Sequence, residues 1–150
     1  MNRSTSIIFS GITLTLGGLI YICFRSENLI MFQWFQFMGI SKAINILRNS
    51  LSILYLPRII IYSLPDALWL YSLTVFIAMI WINERAYFFF WMIICAFLGL
   101  GHEIAQGLDI LKGTFDYIDL FFLSASYSVA IIHSLLIIKS QNHENTKQSY

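Results

Sequence analysis

Charge is the first thing this 150-residue chain lacks: Asp, Glu, Lys and Arg make up 11% of it, against about a quarter of a soluble domain. Charge this sparse cannot solvate the surface that a fold of this length leaves unburied, which excludes an ordinary water-soluble domain. The charges carry almost no bias, nine Lys+Arg against eight Asp+Glu for a formal +1. They form no basic block able to neutralise a run of phosphates, which argues against a nucleic-acid partner. Cysteine is scarce too, with Cys23 and Cys95 both inside apolar runs, where they read as packing residues and leave the redox compartment open. No Gly-x-Ser-x-Gly elbow and no phosphate-cradling glycine loop occurs, and the serines of the apolar runs have no visible activating base. No cofactor is implied.

What the chain does have is apolar residues, 58% of the total, with 17% aromatics and a mean hydropathy of +0.72. A hydrocarbon core about 30 Å thick is crossed by about 20 mostly apolar residues in a helix. Four stretches qualify, at residues 7–24, 64–82, 86–106 and 117–138. The expected fold is all-α, a polytopic transmembrane helix bundle forming a single membrane domain over residues 1–138, with a polar, disordered tail at 139–150. The first stretch carries Gly11, Gly17 and Gly18 for close helix contact. No small-x-small cleavage site follows it, so it reads as an uncleaved anchor. The second opens on Ser63-Leu64-Pro65-Asp66, where Ser63 can cap, Pro65 lacks only an orphan donor and Asp66 meets the positive helix end. Trp69 and Trp81 are spaced to mark opposite interfacial zones.

Between the first two spans, residues 26–62 hold Lys42, Arg48, Pro57 and Arg58 and do not span comfortably. From Ser41 to Leu56, Ile44, Leu47, Leu51 and Leu54 recur at helical spacing, with Lys42, Asn45, Arg48 and Ser52 largely elsewhere on the wheel, so an interfacial helix is expected. The alternative is a fifth span over Ile44 to Tyr62, which two arginines would penalise. Lys and Arg divide almost evenly between the two sets of loops, and orientation stays open.

Ionisable groups at membrane depth tend to mark function, and they concentrate between His102 and Asp119. On a continuous third helix, His102, Glu103 and Gln106 can crowd around one face, and across the loop stand Asp109, Lys112, Asp116 and Asp119. A purely structural reading makes Asp116 the N-cap and Asp119 the third residue of the fourth helix. His102-Glu103-x-x-Gln106 stops one imidazole short of the His-Glu-x-x-His zinc pattern, so no metal site is expected even with His133 nearby. His133 reads as a hydrogen-bonded packing residue, and Ser124 and Ser128 as a small-residue helix contact.

The run Gly-His-Glu-Ile-Ala-Gln from Gly101, followed by Gly-Thr-Phe-Asp-Tyr-Ile-Asp-Leu from Gly113, resembles the VanZ-like family of small bacterial membrane proteins. That family pairs a Glu and a Gln at the end of one membrane helix with a Gly-Arg loop and an Asp pair opening the next, followed by Asn and Gly. Glu103, Gln106, Gly113, Asp116 and Asp119 fit this pattern. Thr114 stands in place of the Arg, and Ser124 and Ser128 in place of the Asn and Gly. The segment Tyr62 to Trp69 also suits the start of the helix that precedes the second pair of spans in such proteins. The resemblance implies a multi-pass protein of the bacterial cytoplasmic membrane, in a family linked to low-level resistance to lipoglycopeptide antibiotics such as teicoplanin.

The expected function is non-enzymatic: the acidic junction between spans three and four engages a polar or cationic group of a lipid or an antibiotic-like envelope amphiphile. Glu103, Asp116 and Asp119 accept, Gln106 orients them, His102 stands beside them, and Arg48 or Arg58 meets them or a lipid phosphate, with the interfacial segment as floor. The alternatives are an intramembrane enzyme using Glu103 or Asp119 as acid or base with help from His102, an oligomeric proton or ion conductor lined by Glu103 and His133, and a structural subunit of a larger complex. Membrane lipids and further copies of the chain are the expected partners.

Overall fold

The computed structural model describes the backbone of residues 2–51, 53–112 and 114–148, and side chains as far as Gln141; Met1, Ser52, Gly113 and the final two residues lie outside it. The described chain forms α1 (Arg3–Phe24), α2 (Ile30–Phe37), α3 (Ser41–Leu51), α4 (Arg58–Tyr62), α5 (Leu64–Ile80), α6 (Arg85–Gly107) and α7 (Tyr117–Gln148), with no strand among the described residues. Three of these, α1, α6 and α7 as far as Gln141, are long and apolar enough to cross a membrane, whereas α5 is a shorter apolar helix. The molecule is thus an all-helical protein with membrane-span-like helices. The polar residues 139–148 continue α7 where composition alone suggests a disordered tail. They contain no Gly or Pro to interrupt the helix.

Helix α1 is inverted relative to a helix of a soluble protein. It buries Ser6, Ser10, Thr13 and Gly17 at helical spacing and exposes Ile8, Phe9, Ile12, Leu14, Leu16 and Leu19. Water would drive such a helix apart; lipid tails favour it, because small residues let backbones approach and hydroxyls bond across the contact. The partner is α5, which runs antiparallel to α1 and also packs on α6 and α7. The Ser72 hydroxyl donates to the Ser10 carbonyl at 2.7 Å. A Cβ on Gly17 would stand 2.8 Å from the Trp69 ring, so Gly17 is needed for the close approach, while Gly11 and Gly18 face open space. Trp69 packs against α1, its ring tilted against that of Tyr21 with centroids 5.2 Å apart.

Helix α5 occupies the centre, burying Leu70, Tyr71, Val75, Ala78 and Met79 among others and leaving one stripe, Leu73, Phe76 and Ile80, exposed. Helix α6 contributes Phe88, Met92 and Cys95 along one stripe. A Cβ at Gly99, the next position of that stripe, would strike Leu70 at 2.5 Å. Helix α7 closes the bundle with Leu123, Ala130, Ser134 and Ile137, and the Tyr127 hydroxyl donates to the Met92 carbonyl of α6 at 2.8 Å. The contact serine on α7 is Ser126, which donates to the Ala67 carbonyl. Ser128 donates back to Ser124 within its own helix.

Residues 26–62 form no fifth long helix. Helix α3 ends at Leu51, the described residues from Ile53 to Pro57 are not helical, and α4 begins at Arg58. Helix α2 stops in a Schellman turn with Gly39 at φ 73°, its Gly39 and Ile40 N–H groups donating to Gln36 and Phe35.

Candidate functional site

The end of α1, the start of α5, the end of α6 and the start of α7 meet at one pole of the bundle, the junction. It is organised by Pro65. Having no N–H, Pro65 cannot satisfy the carbonyl one turn back, that of Ile61. Arg25 fills the gap: its Nε donates to the Ile61 carbonyl at 3.4 Å, its Nη2 to the Tyr62 carbonyl at 2.8 Å, and Nη2 also pairs with Asp66 Oδ2 at 3.3 Å. The guanidinium lies 5.1 Å from the Tyr21 ring centroid and 4.9 Å from that of Tyr62. Ser63 is not the cap that the sequence suggests. Its backbone is helical and its side chain makes no capping bond, so α4 stacks on α5 as one kinked helix and the Ser63 hydroxyl has no first turn to close.

Arg48 turns inward. Its guanidinium donates to the Ile22 carbonyl at 2.5 Å and the Arg25 carbonyl at 3.0 Å, and it pairs with Glu27 at 3.3 Å. These carbonyls belong to the C-terminal end of α1, whose last turn has no basic residue of its own, so α3 supplies the cap from outside. The structure thus ties Arg48 to α1 rather than leaving it free for a lipid phosphate. Arg58 is exposed and makes no ion pair among the described residues.

The carboxylates converge. Asp66 lies within electrostatic range of Arg25, Asp119, Glu103 and His102, so the cluster gains a member from α5 that sequence reasoning did not place there. The Glu103 side chain is 12% exposed, with Oε1 3.9 Å from His102 Nδ1, and the backbone N–H of Asp116 faces its carboxylate. Asp116 is the N-cap of α7, its Oδ1 accepting from the Ile118 N–H at 2.8 Å. Because Glu103 faces the Asp116 N–H, Asp119 does not complete a capping box. Glu103 Oε2 and Asp119 Oδ1 are buried with no hydrogen-bond partner. Gln106 meets His102, amide to imidazole at 3.3 Å, and orients that residue rather than the acids. Asp109, at φ 57°, ends α6 in a Schellman turn with its N–H on the Gln106 carbonyl. Gly113, part of the expected loop pattern, lies outside the described residues.

Two cavities flank the cluster. The larger, about 580 Å³, is a cleft with Leu14 of α1, Trp69 and Leu73 of α5 and Leu98 of α6 on its apolar walls, and Asp66 and Glu103 at its junction end. The smaller, about 380 Å³, is lined by Arg58, Ile59 and Tyr62 of α4, by Ser63, and by Asp116 and Ile118. Of the segment expected to floor the site, α4 does so and α3 does not.

At the opposite pole His133 is held on both ring nitrogens, by the Tyr71 hydroxyl at 2.5 Å and the Ser6 hydroxyl at 3.3 Å. It is stacked on the Tyr71 ring, which makes it the packing residue expected. Among the described residues no group of His, Cys, Asp and Glu is arranged to hold a metal. Compared with known proteins, the chain matches no family model, no curated protein and no solved structure.

Proposed function

We propose that this chain is a multi-pass protein of the bacterial cytoplasmic membrane that binds the chain of an amphiphile in the larger cleft and its cationic or polar head at the junction, without turning it over. The observation that carries this reading is the coincidence of an apolar cleft of about 580 Å³ with carboxylates at one end. That volume lies within the about 300–1,000 Å³ of small-molecule sites. Four carboxyl groups, Asp66, Glu103, Asp116 and Asp119, stand there against Arg25, which Asp66 already engages. The local surplus is negative and suits a cation.

In this reading α5 is a fourth span. Alone its 17 residues reach about 25 Å at about 1.5 Å per residue, short of the hydrocarbon thickness; stacked on α4 it gains a further turn and more. Helices α2 and α3 lie in the interface, exposing Trp34, Phe37 and Tyr55 around them. The VanZ-like resemblance of Glu103, Gln106, Asp116 and Asp119 supports the bacterial envelope as the setting. Native mass spectrometry of the full chain released from maltoside micelles tests the reading. Dodecyltrimethylammonium should form a one-to-one adduct that dodecyl sulfate does not, and Glu103→Gln or the cleft-filling Leu73→Trp should weaken it. Equal adducts with both probes, or an adduct indifferent to both substitutions, would refute it.

A further inference from the structure

We infer that the pole away from the acidic junction carries a second, separate site, which takes an anionic phospholipid by its phosphate. A cavity of about 490 Å³ opens there between the start of α6 and the end of α7, and no residue of α1 lines it. That volume lies within the about 300–1,000 Å³ of small-molecule sites. Both helices turn from apolar to polar toward the same end of this one cavity. On α6, Phe88 and Phe89 stand about a turn in from Arg85, with Asn83 just before it in the chain; on α7, Leu135 comes nearly two turns ahead of Gln141. Phe88 is buried, whereas Phe89 and Leu135 are half exposed and leave the cavity open at the side.

Arg85 is the one charged residue in the lining, and it makes no ion pair among the described residues. Glu84, its neighbour in sequence, is exposed and outside the lining. The guanidinium lies over the Phe89 ring, 5.8 Å from the centroid. Contact through its face leaves the in-plane N–H fork free for the oxygen pair of a phosphate. Asn83 and Gln141 add amide donors for the remaining head-group oxygens. The apolar walls continue from the head toward the middle of the two helices, so the occupant that matches charge and lining together is a phosphate ester carrying an acyl chain. A free phosphate would leave the aromatic wall uncovered.

Dioleoyl phosphatidylglycerol and dioleoyl phosphatidylcholine make the test, since they share their acyl chains and only the second offsets its phosphate with a cation. The full chain in maltoside micelles is offered both at equal concentration, and adducts are counted by native mass spectrometry. The first phosphatidylglycerol adduct should exceed the phosphatidylcholine adduct about tenfold, the worth of one charge-assisted hydrogen bond. Arg85→Gln should erase that preference, and Leu135→Trp, which fills the cavity, should lower the phosphatidylglycerol adduct. Arg3→Gln, which removes an exposed charge of the same pole from outside the cavity, should change neither. Equal adducts with both lipids, a preference that survives Arg85→Gln, or an equal loss with Arg3→Gln overturns the site. Displacement of the lipid by glycerol phosphate at equal concentration, or phosphatidylglycerol binding untouched by Leu135→Trp, overturns the part of the acyl chain and with it the lipid. The dodecyltrimethylammonium adduct reads the junction and should be indifferent to all three substitutions.

Discussion

At one pole of the α1–α5 seam Arg25 meets Asp66, the Ile61 carbonyl that Pro65 leaves open and the Tyr62 carbonyl beside it; at the other, Ser6, Tyr71 and His133 join through hydroxyls and an imidazole. The hydroxyl pole is closed. Both nitrogens of His133 are engaged, the Ser6 hydroxyl also donates to the Asn2 carbonyl at 3.1 Å, and Ser72 reaches across to Ser10. The charged pole is left open: Asp66 keeps 44% of its side chain exposed, and Glu103 and Asp119 each retain a buried oxygen without a partner. A helix contact can thus be completed with neutral groups. The carboxylates at the junction outnumber what holding α1 to α5 requires, and the proposed ligand site rests on that surplus.

The sharpest way to break this contrast is Arg25→Leu. It strips Asp66 of its counterion and returns the Ile61 and Tyr62 carbonyls to an unsatisfied state. Thermal unfolding in maltoside micelles should show a loss of about 2 kcal/mol, below the roughly 3–5 kcal/mol of a fully buried broken pair because Asp66 is partly solvated. Arg25→Lys, which keeps the charge but not the fork, should fall between.

At the other pole His133→Phe should cost less, about 1 kcal/mol, the loss of neutral hydrogen bonds in a shape that is largely kept. Adding Tyr71→Phe should cost less than the sum of the single changes, because the second change removes a hydroxyl the first has already orphaned. If the two poles respond equally to their substitutions, the distinction between an ionic and a neutral closure fails. The smallest effect belongs to Asp109→Gly, outside the Arg25 and His133 networks. Glycine adopts φ 57° without the Cβ penalty, and a gain of about 0.5 kcal/mol in the same unfolding experiment is expected.

The long elements were legible because one signal governs them. Uninterrupted apolar runs place α1, α6 and α7 within a few residues of their observed starts, and Asp116 before Tyr117 announces the cap of α7. The stripe of Ser6, Ser10, Thr13 and Gly17 was also legible, since small and hydroxylated residues at helical spacing mark a helix contact in lipid. Of the three glycines of α1, only Gly17 lies in the contact. Other features are tertiary and have no local trace. Arg25 and Asp66 stand far apart in sequence and meet only because α1 and α5 are antiparallel. Arg48 looks like a polar-face residue of an amphipathic helix until α3 is laid against the unsatisfied end of α1. Helix spacing allows Gln106 to serve Glu103, yet the same spacing brings it to His102.

The order in which the elements leave the ribosome acquires meaning from the stripe on α1. Helix α5 is short, kinked at its start and dotted with Ser72, Thr74 and Asp66, and it is poorly suited to wait alone among acyl tails. When it emerges, α1 has already been made and offers a row of hydroxyls and a glycine notch to receive it. Under the four-span proposal, insertion of α5 is a pairing event rather than an independent partitioning, and biogenesis, as much as the finished architecture, selects which side chains line the seam.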